Sequence, residues 1–336
     1  MKKAYARAGV DLDLGNRLKR EISGLVRSTQ GSEVLSGLGG FGGLFRVNFR
    51  GVRNPVLVAS TDGVGTKLKL AFATGRHDTV GQDLVNHCIN DIAVMGARPL
   101  FFLDYLATGR LEADVFRQIL QGLVRACKAG KCALIGGETA QMPGMYRDGE
   151  YDLAGTVVGL VERSRIWDGS RVCPGDCVVG LRSNGLHTNG YSLARQVLFD
   201  AMGLKPSSRL TGLRGTLAHE LLKVHKNYQP LLAALPNGLV KAAAHITGGG
   251  LIDNLPRILP EGCEVAIRIN SWKPPTIFRI IQEGGKVSVE EMYHVFNMGI
   301  GMALVVSKRR VQEALKLTDG ILIGEVTSGV RGTVLV

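Results

Sequence analysis

The residues best suited to chemistry lie in Thr61-Asp62-Gly63-Val64-Gly65-Thr66-Lys67, directly after the apolar run Val56-Leu57-Val58-Ala59. Four apolar residues behind Pro55 read as a buried strand. The glycines that follow let the backbone turn sharply and approach another group closely. Asp62 offers hard oxygens to a divalent cation, and Lys67 offers a positive charge to phosphate. An ordinary strand-to-loop turn with solvated charges is the alternative reading of this stretch taken by itself. A second carboxylate stands on a glycine turn at a strand end, in Gly136-Gly137-Glu138-Thr139 after Ala133-Leu134-Ile135. A third acidic group lies on a helix expected from about Thr79 to Met95. There Asp83, Asn86, Asn90 and Asp91 share one side through spacings of three, four and seven. Such a stripe is usually a wet face, but Asn and Asp are poor helix formers, which makes function a reasonable explanation for them.

Two further loops carry polar groups. Arg182-Ser183-Asn184-Gly185-Leu186-His187-Thr188-Asn189-Gly190 precedes a helix expected from Leu193, which suits an anion. His187 is the one titratable side chain in the middle of that loop, and its pKa range permits proton transfer or plain hydrogen bonding. His245-Ile246-Thr247-Gly248-Gly249-Gly250 again sets glycines before a helix. The run Gly37-Leu38-Gly39-Gly40-Phe41-Gly42 formally fits a dinucleotide fingerprint, but its context does not. No buried strand precedes it, and Leu44-Phe45-Arg46-Val47-Asn48-Phe49 alternates like a strand rather than a helix. A flexible glycine loop that folds over a nucleotide fits better.

The elements that must position these groups follow from periodicity. Val80, Leu84, Cys88 and Ile92, with Val85 and Ile89, form the apolar face of the first helix. A helix from about Glu112 to Ala129 turns Val115, Ile119, Leu123 and Cys127 inward and stops at Gly130. Strands are expected at Leu100–Leu103, Ala133–Ile135, Tyr151–Val161, Cys177–Leu181 and Ala303–Val306. The turn-rich stretch through Asp168-Gly169 and Pro174-Gly175-Asp176 marks a boundary between domains 1–170 and 171–336.

Bulk properties narrow the class. The 336 residues, 45% hydrophobic and 21% charged, suit a globular protein of two domains. The six scattered cysteines form no Cys-x-x-Cys pair, so buried thiols in a reducing compartment, the cytoplasm, are expected. The first residues lack an apolar signal segment, and no apolar run is long enough to span a bilayer. A net charge of +12 admits nucleic acid as a partner. With only 6% aromatics and no basic block interleaved with them, neither nucleic acid nor a membrane is expected to bind.

Six motifs occur in order: Asp62-Gly63-Val64-Gly65-Thr66-Lys67, Asn90-Asp91-x4-Gly96-Ala97-x-Pro99, Gly136-Gly137-Glu138-Thr139-Ala140-x-Met142-Pro143-Gly144, Ser183-Asn184-Gly185-x-His187, His245-x-Thr247-Gly248-Gly249-Gly250 and Asn297-Met298-Gly299-x-Gly301. Together they closely resemble the phosphoribosylformylglycinamidine cyclo-ligase (aminoimidazole ribonucleotide synthetase) family. The resemblance implies an α+β and α/β two-domain fold. The N-terminal domain would bind ATP and metal and contribute strands to a dimeric β-barrel, with a C-terminal α/β layer domain beside it. It implies an ATP-dependent ligase of purine biosynthesis, a homodimer that closes formylglycinamidine ribonucleotide to aminoimidazole ribonucleotide, with magnesium and potassium as its cations. Carried over residue by residue, it gives Asp62, Asp91 and Glu138 to magnesium. Gly37, Gly39, Gly40, Phe41, Gly42, Gly63, Gly65, Thr66 and Lys67 go to ATP, and Ser183, Asn184, Thr247, Gly248, Gly249 and Gly250 to the substrate. His187, Lys67 and Asp91 become the catalytic residues. Departures stand at Ser23 (often Lys in the family), Gln141 (often Glu) and Val224-His225 (often Pro-Thr). A thiamine-monophosphate kinase of the same superfamily, or a non-catalytic nucleotide-binding relative, is the competing expectation.

Overall fold

A computed structural model describes residues 4–37 and 39–336. Met1–Lys3, part of the start read above for a signal segment, and Leu38 of the glycine run lie outside the described residues. The chain divides into two compact units. One comprises the chain up to Ile92 with Arg98–Leu160, and the other Ala93–Ala97 with Val161–Val336.

The first unit is built on an open four-stranded sheet in the order β1-β4-β2-β3, where β1 is Pro55–Gly63, β2 Arg98–Thr108, β3 Ala133–Gln141 and β4 Tyr151–Glu162. β2 and β3 run parallel, joined through the helix Ala113–Ala129, while β2 and β4 are antiparallel. A parallel neighbour requires such a crossover, and the helix that supplies it covers the sheet. The helix Asp78–Ala93 lies beside it, and the two backbones meet at glycines. A Cβ on Gly81 would stand 2.3 Å from the Ile119 carbonyl oxygen, and one on Gly122 would stand 2.4 Å from that of Asp78. Only residues without side chains permit that approach. Val80, Leu84, Val85, Cys88, Ile89 and Ile92 are all buried, as their spacing predicts. The expected strand at Leu44–Phe49 does not form. Val34 and Phe45 make an isolated bridge, and Leu35 N–H donates to Leu44 O while Arg46 N–H donates to Glu33 O, which closes a short hairpin around the glycine run.

The second unit carries a six-stranded sheet in the order β10-β7-β9-β5-β8-β6. Here β5 is Cys177–Arg182, β6 Val240–His245, β7 Cys263–Ile267, β8 Ile300–Val306, β9 Ile321–Ser328 and β10 Gly332–Leu335. All its pairs are antiparallel except β10 with β7. Every residue of β8 is buried, so this continuous apolar run is a central strand with both faces covered. The helices Thr276–Gly285 and Val311–Thr318 turn Ile277, Phe278, Ile281 and Val311, Ala314 inward, which makes this unit an α/β layer.

All six cysteines are free; Cys173 is exposed and the other five are buried. Among the described residues no helix is long and apolar enough to cross a membrane.

Candidate functional site

Asp62 and Asp91 come from separate elements and meet at one atom. Asp62 is the penultimate residue of β1, and its Oδ1 accepts the N–H of the last, Gly63, at 2.6 Å. The Asp78–Ala93 helix presents His87 and Asp91 one turn apart. His87 Nε2 lies 2.8 Å from Asp62 Oδ2 and 3.9 Å from Asp91 Oδ2, and Ser60 Oγ donates to the same Asp91 oxygen at 3.0 Å. Burial alone would raise the Asp62 pKa. The hydrogen bond and charge of His87, with the Gly63 N–H, outweigh burial and hold it below the usual carboxylate value, against the push of Asp91. Burial alone would likewise lower the His87 pKa, but the Asp62 hydrogen bond and the charges of Asp91, Asp62 and Asp83 raise it. The two carboxylates thus favour the protonated form of His87 between them. The donors gathered here are two carboxylates and a hydroxyl, hard oxygens that fit magnesium, which takes one or two carboxylates and keeps several waters.

Lys67 is buried and paired with a carboxylate. The one-turn 3-10 helix Gly65–Lys67 follows β1 and turns this side chain inward, where it is 0% exposed. Its Nζ lies 2.9 Å from Asp83 Oδ1 and 2.8 Å from Asp83 Oδ2. Burial pulls its pKa below the lysine value, and Asp83 restores part of the loss. The ammonium and the carboxylate therefore neutralise each other inside the unit. Asp83, Asn86, His87 and Asn90 are all buried, so the polar side of this helix is an internal polar spine and not a wet face.

Glu138 is not brought to the acidic pair. It is exposed on β3, opposite Tyr105 of β2, which in turn faces Ala154 of β4. β1 lies beyond β4, so Glu138 stands three strand spacings from the end of β1, roughly 14 Å. Gly37, Gly39, Gly40, Phe41 and Gly42 form the exposed tip of the short hairpin, with the Phe41 ring fully in solvent. Gly63, Gly65 and Thr66 lie at the end of β1, the last two exposed.

Two of the departures have structural roles. Gln141 accepts the Asp11 N–H through Oε1 at 3.0 Å and donates through Nε2 to Asp11 O at 3.2 Å, a two-way clasp a glutamate could not make. Ser23 Oγ donates to Arg20 O on the exposed side of the helix Leu12–Arg27.

In the second unit the Ser183–Gly190 loop is organised by Asn297. Its Nδ2 donates to Gly185 O at 2.9 Å and Leu186 O at 3.2 Å, and its Oδ1 accepts from Ser183 Oγ at 3.0 Å and Gly299 N–H at 2.8 Å. Asn184 is exposed, with its Nδ2 donating to Val224 O at 2.7 Å. His187 is 1% exposed and sits at φ 65°, a left-handed conformation costly for a residue other than glycine. Its Nε2 accepts a long bond of 3.5 Å from Asn184 N–H. Gly301 makes room for it: a Cβ there would stand 2.2 Å from Tyr228 Oη and 2.5 Å from His187 Cε1. Thr247, Gly248 and Gly249 rise toward the surface at the end of β6. Asn254 Nδ2 holds that turn by donating to Gly248 O at 3.1 Å and Gly250 O at 2.8 Å. The sequence-derived sites thus fall into two groups, one in each unit.

Residues 48–161 match the family described as AIR synthase related protein, N-terminal domain, and 173–336 match its C-terminal domain. A phosphoribosylformylglycinamidine cyclo-ligase of Trichlorobacter lovleyi is 52% identical over 330 residues, covering 96% of this chain and 95% of that one. Another, from Geobacter metallireducens, is 51% identical over 335 residues, covering 98% and 96%. The chain belongs to the phosphoribosylformylglycinamidine cyclo-ligase family. It is an enzyme of the ligase class, and membership of this family implies dependence on ATP. Among solved structures, a thiamine-monophosphate kinase from Stenotrophomonas maltophilia superposes with a TM-score of 0.69 at 18% identity, covering 97% of this chain and 96% of that one. The hydrogenase maturation protein HypE in complex with ATP gives 0.67 at 17%, covering 96% and 90%. Likeness at such identity shows a shared fold.

Residue types and spacing alone passed over His87 and Asp83 as the partner of Lys67, and placed Asn297 in a motif without giving it a role. His87 had a signal, since it stands four residues before Asp91 on the same helix. The partnership of Lys67 with Asp83 had none, because it depends on how a turn and a helix pack.

Proposed function

We propose that this chain closes formylglycinamidine ribonucleotide to aminoimidazole ribonucleotide, converting ATP to ADP and phosphate. Identity of 52% to a curated cyclo-ligase across nearly the whole of both chains carries this reading. The formyl oxygen is a poor leaving group. It attacks the γ-phosphorus of ATP, ADP departs and the formamide nitrogen gives up its proton, leaving the oxygen as a phosphate ester of an imidate. The amidine nitrogen then attacks the same carbon, the carbon–oxygen bond breaks, phosphate leaves and the nitrogen loses a proton. Phosphoryl transfer of this kind needs alignment and charge neutralisation above all.

Asp62 and Asp91 hold magnesium on this reading, with His87 yielding Asp62 to it; the ion would neutralise phosphate charge. Glu138 stands outside that pair, and potassium has no residues assigned to it. The exposed Gly37–Gly42 tip with Phe41, and the Gly63, Gly65 and Thr66 backbone, receive ATP. Lys67 serves that turn from inside, through Asp83. Ser183, Asn184 and Thr247–Gly250 receive the substrate. Of the two roles open to His187, base or positioning, its burial and the bond from Asn184 N–H favour positioning. The homodimer fits the open sheet, whose outer strand β1 and apolar residues Leu57 and Tyr105 are exposed in a single chain.

The test is an assay of the purified chain with ATP and magnesium. ADP release should require formylglycinamidine ribonucleotide and should not occur with thiamine monophosphate. Asp91→Asn should raise the magnesium needed for half-maximal rate by at least about tenfold. Turnover with thiamine monophosphate alone would overturn the reading, and an unchanged magnesium requirement would remove Asp91 from the metal.

A further inference from the structure

His225 is completely buried in the stretch between the short helices Leu217–Leu221 and Gln229–Ala233. Its Nε2 lies 2.9 Å from Nε2 of His245, the last residue of β6. Two imidazole nitrogens at that distance require one proton between them, since two lone pairs or two N–H groups would repel. The two rings therefore hold opposite states at Nε2. On its other side His225 Nδ1 is 3.2 Å from Thr188 Oγ1, which receives Asn189 Nδ2 at 3.4 Å. The ring also stacks on His187, with centroids 4.1 Å apart and planes at 23°. One imidazole thus touches both loops of this unit that carry polar groups, the one from Ser183 to Asn189 and the one that opens at His245.

We infer that His225 is a positioning residue for the cyclisation. It fixes the ring plane and tautomer of His245 and, by stacking, the strained His187. This inference rests on the proposed assignment of these two loops to the substrate. A threonine at this position would have one hydroxyl and no ring, so it could not bond at two separated points and stack as well. The imidazole here ties together what a threonine would leave to separate contacts. Nothing in this role requires His225 to touch substrate; it acts through its neighbours.

The decisive comparison is His225→Phe, which keeps a ring for stacking but removes both hydrogen bonds, against His225→Gln, whose amide replaces the Nε2 contact. For His225→Phe, kcat/KM for formylglycinamidine ribonucleotide should fall about tenfold, as when other groups that orient a histidine are lost, while KM for ATP stays unchanged. His225→Gln, which restores the Nε2 contact but has no ring to stack on His187, should recover part of the loss. Two-bond proton–nitrogen spectra of the ¹⁵N-histidine-labelled chain should show opposite Nε2 states for His225 and His245, with His245 changing in His225→Phe. A wild-type kcat/KM in a folded His225→Phe chain would overturn the inference. So would spectra in which both rings carry a proton at Nε2. Should His225→Phe not fold, Thr188→Val, which cuts the Nδ1 contact while leaving both imidazoles in place, is to lower kcat/KM in the same sense, and an unaltered value there counts against the inference. If the wild-type chain has no turnover, the proposed reaction fails, while the spectra still decide the histidine pair.

Discussion

At the scale of single residues, packing has placed one carboxyl where its charge is costly. Asp104 of β2 lies against Gly137, where a Cβ would come within 2.4 Å of Asp104 Oδ1. Burial raises its pKa to about 7, against a pull from its own backbone and with a further push from Glu138. The folded chain therefore binds this proton more tightly than the unfolded one, whose value is about 3.8. The associated stability is fully present below about pH 4. It is lost as pH rises through 7, to the extent of at most about 4 kcal/mol. Asp104→Asn should remove that dependence. In urea titrations at pH 5 and pH 8, wild type should lose stability between the two while Asp104→Asn loses much less. Equal losses would show that Asp104 is not the group responsible. Residue types made Asp62 and Asp91 readable as oxygen donors. Whether a carboxyl such as the half-buried Asp104 is withdrawn from water could not be read, because that depends on the glycine in the neighbouring strand.

At the scale of elements, the Asp78–Ala93 helix shows what periodicity reveals and what it leaves open. Its apolar side followed from spacing, and the residues chosen are the buried ones. Its polar side was equally visible but carried no sign of facing inward, since that depends on where the turn after β1 sends Lys67. A lysine on a glycine turn reads as a phosphate ligand; only the packed element shows it as the internal partner of Asp83. The alternation at Leu44–Phe49 was legible too, and Phe45 and Val47 are the less exposed positions, yet no ladder forms. Side-chain alternation records a face, whereas a strand also needs a neighbour to bond. The Lys67–Asp83 pair gives a test. Lys67→Met should strand the Asp83 carboxylate and cost roughly 3–5 kcal/mol in denaturant titrations without nucleotide. Adding Asp83→Asn should recover most of that loss. A phosphate ligand with no internal role would predict normal stability for Lys67→Met and a defect confined to ATP binding.

At the scale of the whole molecule, the first unit has a sheet with one face under helices and the other carrying Leu57, Ala59, Leu103, Tyr105 and Ala154. Leu57 is 61% exposed, and β1 is a nine-residue edge strand with β4 as its one neighbour. A long edge beside an apolar face invites another chain, and proteins that stay monomeric usually blunt such an edge with charge, proline or a bulge. Apart from Pro55 and the penultimate Asp62, β1 has no such device, and its middle reads Val56-Leu57-Val58-Ala59-Ser60-Thr61. A second copy of the same surface would cover both features with one symmetric contact. The wild-type chain should therefore sediment at twice its own mass. Leu57→Arg, which places a charge on that face, should sediment as a single chain at micromolar concentration. Leu317→Arg changes an exposed leucine of the second unit and should leave the dimer intact. If Leu57→Arg remains a dimer, the contact lies elsewhere, and a monomeric wild type would mean that this sheet stays open in solution.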